Sequence, residues 1–237
     1  MSARNGVQRY EELAIKQPPF QEYSVITLYD YLPSQNAWKV RQLLGHLAIP
    51  HCTEIISIFE GAGQTPQYLA INPWGAVPAI RLEDGRVLSE SNAILWYLST
   101  DTKYRPDEIF GQAKVLQWLS FEADYVQTSI GSLRFWALTG KLSARPPSLV
   151  EGKRAIALRA LGILDRELTS RPFIAGGAYS IADISLFAYS HLANDAGIAT
   201  DEFRSFEAWV ARVKSQVGHL AEMHPYSIDP HSSVELP

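Results

Sequence analysis

Residues 72–94 read NPWGAVPAIRLEDGRVLSESNAI and are the part of the chain that indicates most about its fold. This stretch begins with a loop that closes on Val77-Pro78, where the proline removes one backbone donor and biases Val77 toward an extended conformation. Two short apolar runs follow, and the turn between them contains the hairpin signal Asp84-Gly85. Ser89-Glu90-Ser91 then precedes a helical pattern over residues 92–98. The stretch therefore predicts a loop, a β-hairpin and the N-terminus of a helix.

Two parts of this stretch allow a binding interpretation beside a structural one. If the Val77-Pro78 bond is cis, the backbone N–H and C=O of Val77 can face a cleft and pair with an extended peptide. The residues alone do not assign the isomer. Ser89-Glu90-Ser91 brings a hydroxyl, a carboxylate and free N–H groups to a helix N-terminus, which can hold a carboxylate. Ordinary helix capping explains the same three residues.

The segments before residue 72 alternate between strand and helix patterns. An apolar run at residues 25–29 predicts a strand, and residues 53–58 predict a second β-rich segment. Between them, apolar residues recur at the i, i+3, i+4, i+7 spacing of one helix face: Val40, Leu43, Leu44 and Leu47. The order βαβ, short helix, ββα predicts a compact α/β layer with a mixed sheet.

The rest of the chain has the apolar spacing of helices, which predicts a second domain that is all α. Arg145-Pro146-Pro147 predicts that residues 140–151 form a loop. Ser180 and Asp183 have the spacing of a capping box, which we prefer to a catalytic pair. We expect an N-terminal extension at 1–23, an α/β domain at 24–100, a linker at 101–107, an all-helical domain at 108–225 and a tail at 226–237.

Composition excludes several classes of partner and site. The formal net charge of -4 comes from interspersed acidic and basic residues, so a nucleic-acid partner is not expected. The single Cys52 excludes an internal disulfide and a two-cysteine redox pair, and it is predicted to be a buried structural thiol. The six histidines lack the spacing of metal ligands, so no metal is expected. No apolar stretch has membrane length, and the polar residues 1–21 contain no signal region, so we expect a protein of the reducing cytoplasm.

The hairpin stretch and the order of elements resemble the soluble (cytosolic) glutathione transferase superfamily. The resemblance implies a thioredoxin-like N-terminal domain with a mixed four-stranded sheet and an all-helical C-terminal domain. It implies that Val77, which precedes the family's cis-proline at Pro78, pairs with the cysteinyl backbone of glutathione. It also implies that Glu90 and Ser91 hold the γ-glutamyl end. Two further candidates for the glutathione site are Gln64 and Lys39.

Residues 28–41 resemble the serine-type zeta and theta classes, and also the bacterial nu class and its prion-like fungal relatives. Ser34 falls at the zeta-like hydroxyl and Asn36 at the nu-like asparagine, whereas Asp30 stands where the alpha, mu and pi classes have a tyrosine. A free thiol has a pKa of about 8.5, and its thiolate is the nucleophile. The implied role of Ser34 and Asn36 is therefore to donate a hydrogen bond to the thiolate, aided by the helix N-terminus. The alternative is that both residues only cap the helix.

The resemblance implies a cytoplasmic, homodimeric glutathione transferase that detoxifies by adding its co-substrate glutathione to an electrophilic small molecule. Tyr125, Phe135 and Trp136 are candidates for lining the electrophile site. Two alternatives stay open. A glutathione-dependent disulfide reductase or peroxidase of nu type is favoured by Asn36 and by the absence of a catalytic cysteine. A non-catalytic, transferase-like binding or assembly module is kept open by Asp30, since a fold alone does not secure activity.

Overall fold

The computed structural model describes residues 25–236, so the predicted extension at 1–23 lies outside the described residues. The described residues form two compact units. Residues 25–94 and 222–236 form the first unit, and residues 95–221 form the second. The first unit thus contains both ends of the described chain.

The first unit is built on a mixed four-stranded sheet with the strand order β2-β1-β3-β4. Strand β1 runs parallel to β2 and antiparallel to β3, and β3 pairs antiparallel with β4. The elements in chain order are β1 (Ile26–Asp30), α1 (Gln35–His46), β2 (His51–Ile55), α2 (Pro66–Leu69), β3 (Ala79–Arg81), β4 (Val87–Ser89) and the first half of α3 (Ser91–Leu98), whose second half belongs to the second unit. The predicted thioredoxin-like α/β layer is confirmed.

Strand β2 begins earlier than the β-rich run at residues 53–58 predicted. Its pairing with β1 starts at His51 opposite Ile26, and residues beyond Ile55 leave the sheet for a 3₁₀ turn at Ile58–Glu60. Among the described residues β2 is an edge strand, so one side of its backbone has no neighbouring strand there. Cys52 lies on this strand and is exposed, so the expectation of a buried thiol was wrong.

A buried ion pair joins the end of β1 to α1. Asp30 is fully buried, and both of its carboxylate oxygens lie 2.7 Å from Nη1 of Arg41. The other terminal nitrogen of Arg41 donates to the backbone oxygen of Leu32 at 3.0 Å. One guanidinium therefore fixes both the last residue of β1 and the loop that follows it.

The C-terminal segment of the first unit packs against the same loop. The hydroxyl of Tyr31 donates to Oδ2 of Asp229 at 3.0 Å in a buried contact, and the Tyr31 ring packs on Tyr226. One residue into α1, Nε2 of Gln35 lies 3.6 Å from the sulfur of Met223. Residues on both sides of Ser34 thus contact a segment nearly 200 positions away in the sequence.

The second unit contains helices only, apart from an isolated bridge. These are α4 (Ile109–Phe121), a π-helical continuation (Glu122–Gly131), α5 (Ser132–Leu138), α6 (Pro147–Leu168), α7 (Ile181–Ser190) and α8 (Arg204–Lys214). The loop predicted at residues 140–151 ends at Pro146 instead, because proline is well suited to the first position of a helix and Pro147 begins α6. The all-helical composition of this unit is confirmed.

Ser180 and Asp183 have the predicted structural role at the start of α7. The side chain of Ser180 caps the helix, and the backbone N–H of Ser180 donates to Asp183 at 3.0 Å. Asp183 is fully buried and also accepts from Ile174 N and Trp209 Nε1, each at 2.8 Å. Burial raises the pKa of this carboxyl to about 6, while the hydrogen bonds from Ile174, Trp209 and Ser180 act in the opposite direction. The carboxylate links three segments of the second unit.

Removing one partner of the buried pair in the first unit has a large expected cost. Asp30→Ala leaves the Arg41 guanidinium, whose side chain is only 14% exposed, without its carboxylate partner, so the free energy of unfolding is expected to fall by about 3 kcal/mol. Chemical denaturation of the variant and of the wild-type protein measures this difference in the free energy of unfolding. The matched control is Glu167→Ala, which breaks a partly exposed pair with Arg171 at 3.2 Å and is expected to cost less than about 1 kcal/mol. Equal costs for the two variants would contradict a structural role for Asp30.

Candidate functional site

The N-terminus of α1 presents two hydrogen-bond donors. Ser34 is the N-cap, and its Oγ accepts from the backbone N–H of Ala37 at 3.2 Å. Accepting this bond leaves the hydroxyl hydrogen available, and no described residue accepts it. Capping and thiol donation are thus compatible roles for Ser34. The backbone N–H of Ser34 itself donates to Tyr31 O at 2.8 Å, which tightens the loop before the helix.

Asn36 lies in a polar cluster with two other candidate residues. Its carbonyl oxygen Oδ1 accepts from Nζ of Lys39 at 2.9 Å and from Oγ of Ser91 at 3.4 Å. Lys39 Nζ also lies 3.5 Å from Ser91 Oγ. Lys39 is fully buried and Ser91 is 7% exposed, so the cluster is largely shielded from solvent. Nδ2 of Asn36 has no acceptor among the described residues and is the group left for a ligand.

Val77-Pro78 is a cis peptide bond that precedes β3. Pairing of β3 with β1 and β4 begins at Ala79, so Val77 lies outside the ladder. Within residues 25–236, neither the N–H nor the C=O of Val77 is hydrogen-bonded. Both backbone groups of this half-buried residue are available to an extended peptide.

The loop before Val77 is held by side chains. The backbone oxygen of Ala76 accepts from the hydroxyl of Tyr68 and from Nδ2 of Asn72, each at 2.7 Å. Burial raises the pKa of Tyr68, so this phenol stays protonated and remains a donor. The backbone immediately before Val77 is therefore fixed from two sides.

Gln64 lies against the same loop. A Cβ added to Gly75 would come within 2.5 Å of Nε2 of Gln64, and one added to Gly63 would come within 2.2 Å of the oxygen of Gly75. The loops that contain Gly63 and Gly75 pack so closely that a side chain at either position would not fit. Gln64 is exposed and makes no side-chain hydrogen bond to a described residue, so it is available at the rim.

Glu90 precedes α3 with a left-handed backbone, at a φ of 68°. Such a conformation is uncommon for a residue other than glycine, and it occurs preferentially at ligand sites. Glu90 is exposed, and its carboxylate has no hydrogen-bond partner in the described part of the chain. Its backbone oxygen accepts from Ile94 N at 2.9 Å, so the helix starts directly behind the carboxylate.

Sheet register brings the three segments to one edge. Ala79 is the residue opposite both Tyr29 of β1 and Ser89 of β4. Because β3 runs antiparallel to both neighbours, the residues before Ala79 lie beside those after Tyr29 and after Ser89. The loop with Ser34, the Val77-Pro78 bond and the Glu90-Ser91 pair therefore leave the sheet at the same end. The contact of Ser91 with Asn36 joins two of the three directly.

Some features of this region carried no sequence signal. Asp30 pairs with Arg41 and so cannot serve as a thiol donor in place of a tyrosine. The contacts of Tyr31 with the C-terminal segment depend on tertiary structure and have no local pattern. Lys39, a candidate for the glutathione site for which a solvated helix position was the alternative, lies buried behind Asn36 and Ser91.

The aromatic candidates for an electrophile site belong to the second unit. Tyr125 is exposed and stacks near Phe121, whereas Phe135 and Trp136 have cationic neighbours. Within residues 25–236, no group of three or more His, Cys, Asp or Glu side chains is arranged to hold a metal ion. In the same residues, no helix has both the length and the apolar character needed to cross a membrane.

Comparisons with known families match both units. The family model described as "Glutathione S-transferase, N-terminal domain" matches residues 33–101. The one described as "Glutathione S-transferase, C-terminal domain" matches residues 147–212.

Two relatives illustrate the range of similar proteins. Human glutathione S-transferase theta-2 is 30% identical over 181 residues, which cover 72% of this chain and 72% of the relative. Rice (Oryza sativa subsp. japonica) elongation factor 1-gamma 1 is 32% identical over 149 residues, which cover 61% of this chain but only 34% of that protein. The chain thus spans about a third of the elongation factor.

Solved structures agree with these matches. A glutathione S-transferase from Pseudomonas fluorescens superposes with a TM-score of 0.78 at 34% identity, covering 83% of this chain and 98% of that one. The glutathione transferase URE2P6 from Phanerochaete chrysosporium, in complex with oxidized glutathione, has a TM-score of 0.74 at 26% identity, covering 81% and 92%. Both family models, the theta-2 relative and these structures show that the chain belongs to the soluble glutathione S-transferase superfamily.

Proposed function

We propose that the first unit binds glutathione, stabilises its thiolate and adds that thiolate to an electrophilic small molecule. The observation that carries the proposal is the unpaired backbone of Val77 at the sheet edge where the Asn36 cluster and Glu90 also lie. An extended tripeptide can satisfy an N–H and a C=O at once, as a strand does at an open sheet edge. In this pose the cysteinyl residue of glutathione pairs with Val77.

The γ-glutamyl end of glutathione carries an ammonium and a carboxylate. The exposed Glu90 carboxylate offers a partner for the ammonium, and the backbone N–H groups at the N-terminus of α3, beginning with that of Ser91, offer donors for the carboxylate. Gln64 is placed beside Gly75 for a further polar contact. Both charged groups of the γ-glutamyl end thus meet a group of opposite character.

Ser34 and Asn36 act as donors to the thiolate in this proposal. Lowering the thiol pKa by roughly two units requires about 2.7 kcal/mol of preferential stabilisation of the anion. One hydrogen bond to a charged group contributes about 1.5–3 kcal/mol, and a helix N-terminus about 0.3–1 kcal/mol. One or two donors at the start of α1 are therefore sufficient, and neither residue needs to accept a proton.

The reaction is a nucleophilic attack by the glutathione sulfur. A carbon–sulfur bond forms at the electrophilic centre, and either a leaving group departs with the electron pair or the electrophile takes up a proton from solvent. We further propose a cytoplasmic homodimer that acts in detoxification. The exposed side chains of Ile109 and Phe110 at the start of α4 offer apolar surface for a protein contact.

A second candidate activity is disulfide reduction. In this reaction the thiolate attacks a disulfide sulfur, a thiolate leaves, and a second glutathione resolves the mixed disulfide to give oxidised glutathione. The open amide of Asn36 and the similarity to URE2P6, which was solved with oxidized glutathione, favour it. The relation to elongation factor 1-gamma supports a third, non-catalytic role as a binding or assembly module.

Glutathione is expected to stabilise the protein against unfolding. Binding to the folded state alone raises the free energy of unfolding by about 2.7 kcal/mol at a ligand concentration 100 times the dissociation constant. A thermal-shift titration with millimolar glutathione measures this effect. The dipeptide Cys-Gly is the matched control, because it lacks the γ-glutamyl group and should stabilise far less. No shift with glutathione would favour the non-catalytic module.

Two substrates separate the enzymatic candidates. Under the leading proposal, we expect glutathione-dependent turnover of a model aryl halide and little turnover of hydroxyethyl disulfide. Initial rates with each substrate, corrected for the uncatalysed reaction, give the comparison. Turnover of hydroxyethyl disulfide but not of the aryl halide would identify disulfide reduction, and not conjugation, as the activity.

The donors are distinguished by the pKa of the bound thiol. Lys39 and Ser91 already donate to the Asn36 oxygen, which leaves the NH₂ group of Asn36 for the thiolate. We therefore expect Asn36→Ala to raise the pKa of the bound thiol by about one unit or more, and Ser34→Ala to raise it by less. The ultraviolet absorbance of the thiolate in the complex, followed against pH, measures the shift. Gln67→Ala, an exposed position on α2, is the control and should leave the pKa unchanged. If neither donor variant shifts the pKa, the proposed mechanism is wrong.

A further inference from the structure

Lys39 is a lysine without access to solvent, held between two candidate ligand-binding residues. Its side chain is fully buried on α1, one turn after Asn36. Its ammonium lies 2.9 Å from Oδ1 of Asn36 and 3.5 Å from Oγ of Ser91. Burying a charged ammonium is costly, so lysine is rarely found at such a position without a specific partner. A residue whose only role was to pack in the core would not need a charged side chain such as that of Lys39.

The ammonium determines which way the Asn36 amide points. A side-chain amide has one accepting end and one donating end, and the two ends have nearly the same shape. An ammonium can only donate, so the atom of Asn36 that contacts Lys39 has to be the carbonyl oxygen. The Ser91 hydroxyl donates to the same oxygen at 3.4 Å. The opposite end, the NH₂ group, is therefore directed away from Lys39.

Stabilisation of a thiolate requires the NH₂ group of Asn36, not its carbonyl oxygen, to face the sulfur. A sulfur anion is stabilised by an N–H donor and destabilised by a nearby carbonyl oxygen, so a flipped Asn36 would oppose ionisation. Nδ2 has no acceptor among the described residues, which leaves it for the ligand. The lysine thus selects between two amide orientations of opposite electrostatic effect.

We propose that Lys39 is a positioning residue, whose ammonium holds the Asn36 oxygen so that the amide NH₂ of Asn36 faces the thiol of bound glutathione. The inference rests on the proposed function, because it assumes that glutathione occupies the site. Lys39 acts through Asn36 and does not touch the sulfur. Its contact with Ser91 ties the same amide to the start of α3, where the γ-glutamyl end binds.

A double-mutant cycle between Lys39 and Asn36 tests this role. Lys39→Met keeps the length of the side chain but removes the donor, and it is expected to raise the pKa of the bound thiol by about one unit. Lys39→Met in the Asn36→Ala background is expected to add little further shift, because the amide it would orient is gone. Thiolate absorbance against pH is measured for all four proteins in saturating glutathione. Lys214→Met, which removes an exposed lysine at the end of α8, is the matched control and should not shift the pKa.

Other outcomes overturn the inference in recognisable ways. A loss of stability with an unchanged thiol pKa would make Lys39 a packing residue only. Equal shifts with and without the Asn36 side chain would mean that its charge acts on the thiolate independently of the amide. If the wild-type protein does not bind glutathione, the proposed function itself is wrong. The first two outcomes, in contrast, leave glutathione binding intact.

A second substitution, Lys39→Gln, tests the same role if Lys39→Met does not fold. Lys39→Gln retains a neutral donor and disturbs the buried site less. It is expected to shift the thiol pKa in the same direction but by a smaller amount, again only when Asn36 is present. A shift of the same size with and without the Asn36 side chain in this folded variant, with glutathione still bound, would overturn the role of Lys39.

Discussion

The candidate site depends on one buried ion pair, between Asp30 and Arg41. The pair joins the last residue of β1 to the second turn of α1, and the same guanidinium holds the backbone of Leu32 between them. Ser34 and Asn36 lie on the chain between the two partners, so their positions follow from it. A tyrosine at residue 30 could not neutralise Arg41.

A second constraint connects segments that are far apart in the sequence. Asn36 and Lys39 belong to α1, and Ser91 begins α3, more than fifty residues later. Their mutual hydrogen bonds are buried or partly buried, where polar groups are satisfied mainly within the protein. The proposed thiol donor and the proposed γ-glutamyl clamp are therefore parts of one polar network. A ligand that spans both would contact groups whose relative positions are already fixed.

Local patterns in the sequence were sufficient for the fold, whereas the site residues indicated by the family resemblance, such as Asn36, Val77 and Glu90, stay predictions. The alternation of strand and helix patterns gave the mixed sheet, and the prolines and glycines marked its turns. Periodicity could not place the start of β2, because an edge strand has exposed residues such as Cys52 and lacks a strong apolar alternation. It also could not separate a loop proline from the first residue of α6, since Pro147 is compatible with both. The burial of Lys39 and the pairing of Asp30 depend on neighbours brought close by tertiary structure, which no local pattern encodes.

The contact of Tyr31 with Asp229 has a consequence for the order of biosynthesis. The first unit begins at the amino-terminal side of the described chain, yet it receives Met223, Tyr226 and Asp229 from beyond the second unit. A ribosome delivers these residues only after all of the helices between them have been made. The loop that carries Ser34 and Asn36 therefore cannot form these contacts until residues 223–229 have been synthesised, although its own residues emerge nearly 200 positions earlier.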